Sequence, residues 1–163
     1  MRQFLARAHD VARTPEGEQI LRRELVGVSP LAALLFLASQ GPSYRAKFVA
    51  EILLAVERGP TNCLLISRDV LRNLSRAVLE ERVPAIVMDL LPDADDQDYA
   101  RLSEIIVELR LSKALHVLRS MGRSHEDEEI RFGVMDLDGV ENDERRWVAS
   151  CKSGRSAGPT TGA

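Results

Sequence analysis

The chain has 163 residues and a net charge of −3, a length suited to one domain of ordinary size. Hydrophobic residues make up 45% of it and charged residues 29%, which excludes wholesale disorder. The aromatic content of 4% is low for a β-sandwich or barrel. We therefore expect an all-α fold whose helix interfaces are built from Leu, Val, Ala and Ile.

Charge and targeting signals exclude several classes of protein. Residues 1–83 carry 12 basic and 9 acidic side chains, and residues 84–163 carry 10 and 16. This balance falls short of the basic surface that nucleic-acid binding requires. Charged residues interrupt every apolar run before the ~20 residues of a membrane span, and the N-terminus lacks the apolar core of a signal peptide. With two distant cysteines, Cys63 and Cys151, the sequence indicates a cytoplasmic protein that binds neither nucleic acid nor membrane.

Prolines and glycines divide the chain into short helices. Thr14-Pro15, Ser29-Pro30 and Val83-Pro84 place a proline where a helix can begin. Gly41 and Gly59, each followed by proline, are typical of helix ends. Connections this short force successive helices to lie antiparallel or at sharp angles. In chain order, the predicted helices are 2–13, 15–26, 30–40, 43–58, 63–82, 84–91, 95–110, 112–122 and 125–138.

The predicted helix 43–58 is apolar around most of its circumference. Its narrow polar strip consists of Lys47, Glu51 and Arg58, so both flanks of this helix should be covered, as in the interior layer of a stacked array. Residues 30–56 also align with residues 84–110 at a constant offset. Units of this length occur in helical solenoids, where each unit gains a core by stacking on its neighbours.

The aligned segments share a short helix, a Gly-Pro or acidic turn and a longer apolar helix. With helix 63–82 as the first helix of a three-helix unit, this pattern resembles the armadillo and HEAT repeat families between about residues 15 and 138. The resemblance implies an armadillo/HEAT-like superhelical array of short antiparallel helices that binds another protein and performs no catalysis. Importin-like repeats carry a Trp and an Asn on the inner helix, which Val49–Ala55 and Leu102–Glu108 lack. An Asn ladder for extended basic peptides is therefore not expected.

A stripe of arginines is the strongest candidate contact surface in the sequence. Arg68, Arg72 and Arg76 lie on the polar face of helix 63–82, where their like charges repel unless an acidic group relieves them. The stripe predicts a docking site for an acidic segment of a partner protein, and a solvated helix face is the alternative.

A second candidate contact surface is the polar strip of helix 43–58. Lys47 and Glu51, with Arg101 at the position aligned with Lys47, would mark the edge of a groove in the array, or simply the only polar strip of these helices.

The sequence contains no recognisable catalytic motif, and no metal or cofactor is expected. Asp93, Asp95 and Glu104 fit places in a calcium-loop template, but Asp98 stands where that template needs glycine. These carboxylates are better interpreted as caps of helix 95–110. The histidines are far apart, and neither a nucleophile motif nor a phosphate-binding glycine loop occurs.

Residues 1–145 are therefore predicted to form a helical-repeat domain that acts as a scaffold or adaptor, and residues 146–163 a disordered tail or linker. The apolar side chains of the first helix, Phe4 and Leu5 among them, indicate self-association or membership of a longer array. A compact, self-associating regulatory bundle is the alternative, followed by an enzyme with a scattered site.

Overall fold

The computed structural model describes residues 13–27, 29–135 and 137, and its regular structure there is entirely helical. The all-α prediction is confirmed for these residues. Residues 2–12 of the predicted helix 2–13 and the whole predicted tail lie outside them. The helices are α1 Pro15–Val26, α2 Pro30–Ala38, α3 Pro42–Arg45, α4 Val49–Arg58, α5 Thr61–Arg72, α6 Arg76–Leu90, α7 Asp96–Glu108 and α8 Ser112–Arg123. Residues 128–135 are also helical and are called the C-terminal helix below.

Two of these helices begin at side-chain caps. The Thr14 hydroxyl accepts a hydrogen bond from the Gly17 N–H at 3.1 Å, and Pro15 follows in the first turn of α1. Asp95 accepts from the Asp98 N–H at 2.8 Å at the start of α7. The capping interpretation of the acidic turn is confirmed for Asp95.

Two predicted boundaries are wrong. Helix 63–82 is broken after Arg72, and a new helix, α6, starts behind Ser75, whose hydroxyl accepts from the Val78 N–H at 3.4 Å. Pro84 does not begin a helix but lies inside α6. A proline there costs one hydrogen bond of the helix, and the buried residues Val83 and Val87 keep α6 packed on both sides of it.

The predicted helix 43–58 is also divided. It consists of the short α3, the 3-10 turn Ala46–Phe48 and then α4. Phe48 has φ −116° and ψ 16°, which lie outside the helical region. Its ring is nevertheless completely buried, so the bend stays inside the core.

Helix α4 lies at the centre of the described helices. It contacts α1 on one side and α7 on the other, and it also packs against α5 and α6. Helices α1, α4 and α7 therefore form a row, while α2 packs on α5 and α6 packs on α8. The buried apolar side chains form one continuous cluster from Leu21 in α1 to Val134 in the C-terminal helix. Helix α7, at the end of this row, and the C-terminal helix line a common groove, where the candidate site lies.

Candidate functional site

The arginine stripe is engaged within the chain. Arg68 Nη1 lies 3.1 Å from one carboxylate oxygen of Glu108, at the end of α7, and Arg72 pairs with the other oxygen. One carboxylate thus binds two guanidinium groups and joins α5 to α7. This contact relieves the repulsion between the two arginines that the sequence predicts.

Arg76, the third member of the stripe, supports the start of α8. Its Nη2 donates to the Arg110 carbonyl at 2.7 Å and lies 3.4 Å from Glu80 Oε1. Glu80 in turn accepts from the N–H groups of Ser112 and Lys113 at 2.9 and 3.1 Å. The first turn of α8 has no side-chain cap of its own. Burial opposes ionisation of Glu80, but these hydrogen bonds outweigh it and hold its pKa below the ordinary 4.5.

Lys47 and Glu51 connect α4 and the turn before it to α1. Lys47 pairs with Glu18, and Glu51 pairs with Arg22. The Arg22 guanidinium also donates to the Lys47 carbonyl at 3.0 Å and lies 4.8 Å from the centre of the Phe48 ring. Two members of the polar strip predicted for helix 43–58, Lys47 and Glu51, therefore connect that segment to α1.

Arg101 likewise connects two neighbouring helices of the row, α7 and α4. From α7 its Nη1 donates to the carbonyls of Glu57 and Gly59 at 3.0 and 2.7 Å, at the C-terminal end of α4. Glu57 itself is 1% exposed, and its Oε2 has no hydrogen-bond partner among the described residues. Burial, with Asp98 nearby, raises the pKa of Glu57 although the Arg58 guanidinium opposes the shift.

All six residues predicted to bind a partner thus hold helices of the chain together. Arg72 and Arg76 still expose 54% and 59% of their side chains, so the docking of an acidic segment on them stays a prediction. Sequence periodicity marked these positions as polar, but it gave no indication of the groups within the chain that pair with them.

A groove that the sequence analysis missed lies between α7 and the C-terminal helix. Its volume is about 490 Å³, within the ~300–1,000 Å³ typical of ligand pockets. It follows one stripe of each helix. The lining residues are Asp96, Tyr99, Ala100, Ser103, Glu104 and Val107 of α7, with Glu129, Ile130, Gly133 and Leu137 on the opposite side.

The wall of the groove is fixed by Tyr99. Its ring is 4% exposed, and its hydroxyl donates to the Leu118 carbonyl at 2.8 Å. Burial raises the pKa of this hydroxyl far above its ordinary value, so it remains a proton donor. Gly122 lets the elements meet, since a Cβ there would lie 2.3 Å from Val134 Cγ2 and 2.4 Å from Tyr99 Oη.

Small residues keep the groove open, and carboxylates surround it. Ala100 and Gly133 are exposed, and a Cβ built on Gly133 would meet nothing within 4 Å. Asp96, Glu104 and Glu129 are exposed as well, and no ion pair joins them to a cation of the described residues. An apolar floor with a negative rim is suited to an apolar side chain carried between basic residues.

Comparison of the chain with protein-family models, curated proteins and solved structures finds no match. Within the described residues, no group of three or more His, Cys, Asp or Glu side chains is arranged to hold a metal ion. In the same part of the chain, no helix combines the length and apolar character needed to cross a membrane.

Proposed function

We propose that this chain is a non-catalytic protein-interaction module, a scaffold or adaptor built as an armadillo/HEAT-like array. Its groove beside α7 binds a segment of a partner protein that carries an aromatic side chain next to Arg or Lys. We place this module in the cytoplasm, an assignment supported by the free and fully buried thiol of Cys63.

The row of helices supports the array. Helices α4 and α7, which the internal sequence alignment pairs, contact each other. Lys47 and Arg101 occupy aligned positions, and each reaches back to the preceding helix of the row, Lys47 to Glu18 of α1 and Arg101 to the end of α4. Equivalent contacts at equivalent positions are what a stacked repeat requires.

The proposed binding function depends on one observation, the groove beside α7. Lys47 and the three arginines of the stripe are already paired with carboxylates of the chain, and Arg101 donates to two carbonyls. The rim of the groove, by contrast, offers carboxylates without a cation partner among the described residues. A buried aromatic anchor flanked by complementary charge is the usual centre of a protein interface. We therefore expect the partner segment to be basic beside its aromatic residue.

Selection from a random peptide library tests this proposal. The immobilised full chain and its Trp147→Ala variant, which lacks the one Trp of the chain, should both enrich peptides with an aromatic residue next to Arg or Lys. Filling the groove by Ala100→Leu with Gly133→Leu should abolish binding of the enriched peptides.

The matched control is Ala77→Leu at an exposed position of α6 outside the groove. It should leave binding of the same peptides unchanged. Equal binding to the filled variant and to wild type, or no enrichment on either bait, would refute the proposed site.

A further inference from the structure

A basic and aromatic segment lies within reach of the groove in the same chain. Leu137 lines the groove, and Trp147 follows ten positions later in the sequence. Ten extended residues span at most about 35 Å. The stretch of α7 from Asp96 to Val107 is only about 17 Å long, so the Trp147 indole can reach every part of the groove floor.

The chemistry of this segment fits the groove. Arg145 and Arg146 immediately precede Trp147, and the rim carboxylates of Glu104 and Glu129 are exposed on the two sides of the groove. Resting on the function proposed above, we infer that residues 145–147 dock into the groove of their own chain, with the indole on the apolar floor and the guanidinium groups at the rim. An external partner must then displace them, so the segment is autoinhibitory.

The connecting residues keep this contact weak enough to be displaced. Glu141, Asp143 and Glu144 carry the same sign of charge as the rim, and like charges repel. A link of this length gives an effective concentration on the order of 1 mM, so a segment with a bimolecular Kd of about 0.1 mM would be docked about tenfold more often than free. A partner of the same chemistry would then bind about tenfold less tightly than to an empty groove.

Tryptophan fluorescence tests the contact directly, because Trp147 is the only tryptophan of the chain. In the full chain we expect emission shifted to shorter wavelength and shielded from acrylamide, compared with N-acetyltryptophanamide in the same buffer. Both effects should disappear in the variant with Ala100→Leu and Gly133→Leu but persist in Ala77→Leu. A second variant, Glu104→Lys with Glu129→Lys, leaves the floor intact and should also release the indole. The inference is overturned if acrylamide quenches Trp147 of the wild type as strongly as N-acetyltryptophanamide, or if Trp147 is shielded equally in all variants.

Two further measurements identify the source of the docked segment. Shielding that is unchanged across a wide dilution series supports docking within one chain, whereas shielding lost on dilution assigns the indole to a second copy and overturns the inference. A labelled peptide of residues 139–150 should bind the Trp147→Ala variant about tenfold more tightly than wild type. Equal binding to both forms would show that the groove works but is not self-occupied, which contradicts the inference and leaves the proposed function standing.

Discussion

The carboxylate of Glu80 provides the sharpest test of the structure, because it caps a helix to which it does not belong. We predict that Glu80→Gln destabilises the protein. The glutamine oxygen can still accept from the Ser112 N–H, but the amide NH₂ then faces the Lys113 N–H, which Oε2 of Glu80 accepts at 3.1 Å. One helix N–H loses its partner, and the negative charge at the N-terminus of α8 is lost.

The magnitude follows from these two losses. An unsatisfied donor in a largely buried site costs about 1–3 kcal/mol, and the side chain of Glu80 is only 14% exposed. A charge at a helix N-terminus contributes about 0.3–1 kcal/mol. We therefore expect the free energy of unfolding to fall by about 2 kcal/mol, which corresponds to a melting temperature lower by about 4–8 °C.

The effect should depend on pH with a defined sign. The folded-state pKa of Glu80 lies below 4.5, so its stabilising contribution is fully present above pH 4.5 and is lost as the pH falls through the lowered value. Urea unfolding followed by far-UV circular dichroism, for wild type and Glu80→Gln across this range, should show two stabilities that converge in acid. Glu81→Gln, at the exposed neighbouring position, is the matched control. Equal losses for the two variants at neutral pH would refute the capping argument.

Two further predictions concern the core and the wall of the groove. Glu57→Gln should stabilise the protein by about 1–2 kcal/mol at neutral pH and leave its stability nearly unchanged below pH 4.5, because burial raises the pKa of Glu57 and ionisation then opposes folding. Urea unfolding midpoints at the two pH values measure this difference, and a loss of stability at both would contradict the prediction. Gly122→Ala should lower the free energy of unfolding by about 1–3 kcal/mol, because its Cβ would overlap Val134 and Tyr99. Gly133→Ala should raise the free energy of unfolding by about 0.5–1 kcal/mol, because this helix position is open. Thermal unfolding of the two variants measures both effects. Equal melting temperatures for the two glycine variants would show that the packing around Gly122 is not as described.

Local signals predicted most of the helices. Thr14 with Pro15 and Asp95 with its acidic first turn locate the starts of α1 and α7, because a cap acts through hydrogen bonds three residues away. The break between α5 and α6 was missed for a physical reason. Arg68, Arg72 and Arg76 repeat every four residues across it, so the helical period continues through a chain that turns at Ser75. The proline at position 84 gave a stronger start signal than that serine.

The candidate site could be predicted only in part. The sequence singled out charged positions such as Arg72 and Glu51 as contacts for a partner protein. Their partners within the chain lie far away in the sequence, Glu108 at a separation of 36 residues and Arg22 at 29. No local pattern reveals which carboxylate will meet which arginine. The groove is equally non-local, because its width depends on how the C-terminal helix returns to α7, and Gly122 controls that approach only in three dimensions.

The pairing of charges also changes the expected chemistry of the partner. The arginine stripe predicted an acidic ligand, yet Arg68 and Arg72 share Glu108, and Lys47 of the second candidate surface pairs with Glu18. The excess acidic charge of the chain lies in residues 84–163, the part that supplies the rim of the groove. The rim carries the exposed carboxylates of Asp96, Glu104 and Glu129, which have no cation partner among the described residues, so a basic segment is the ligand that this rim favours.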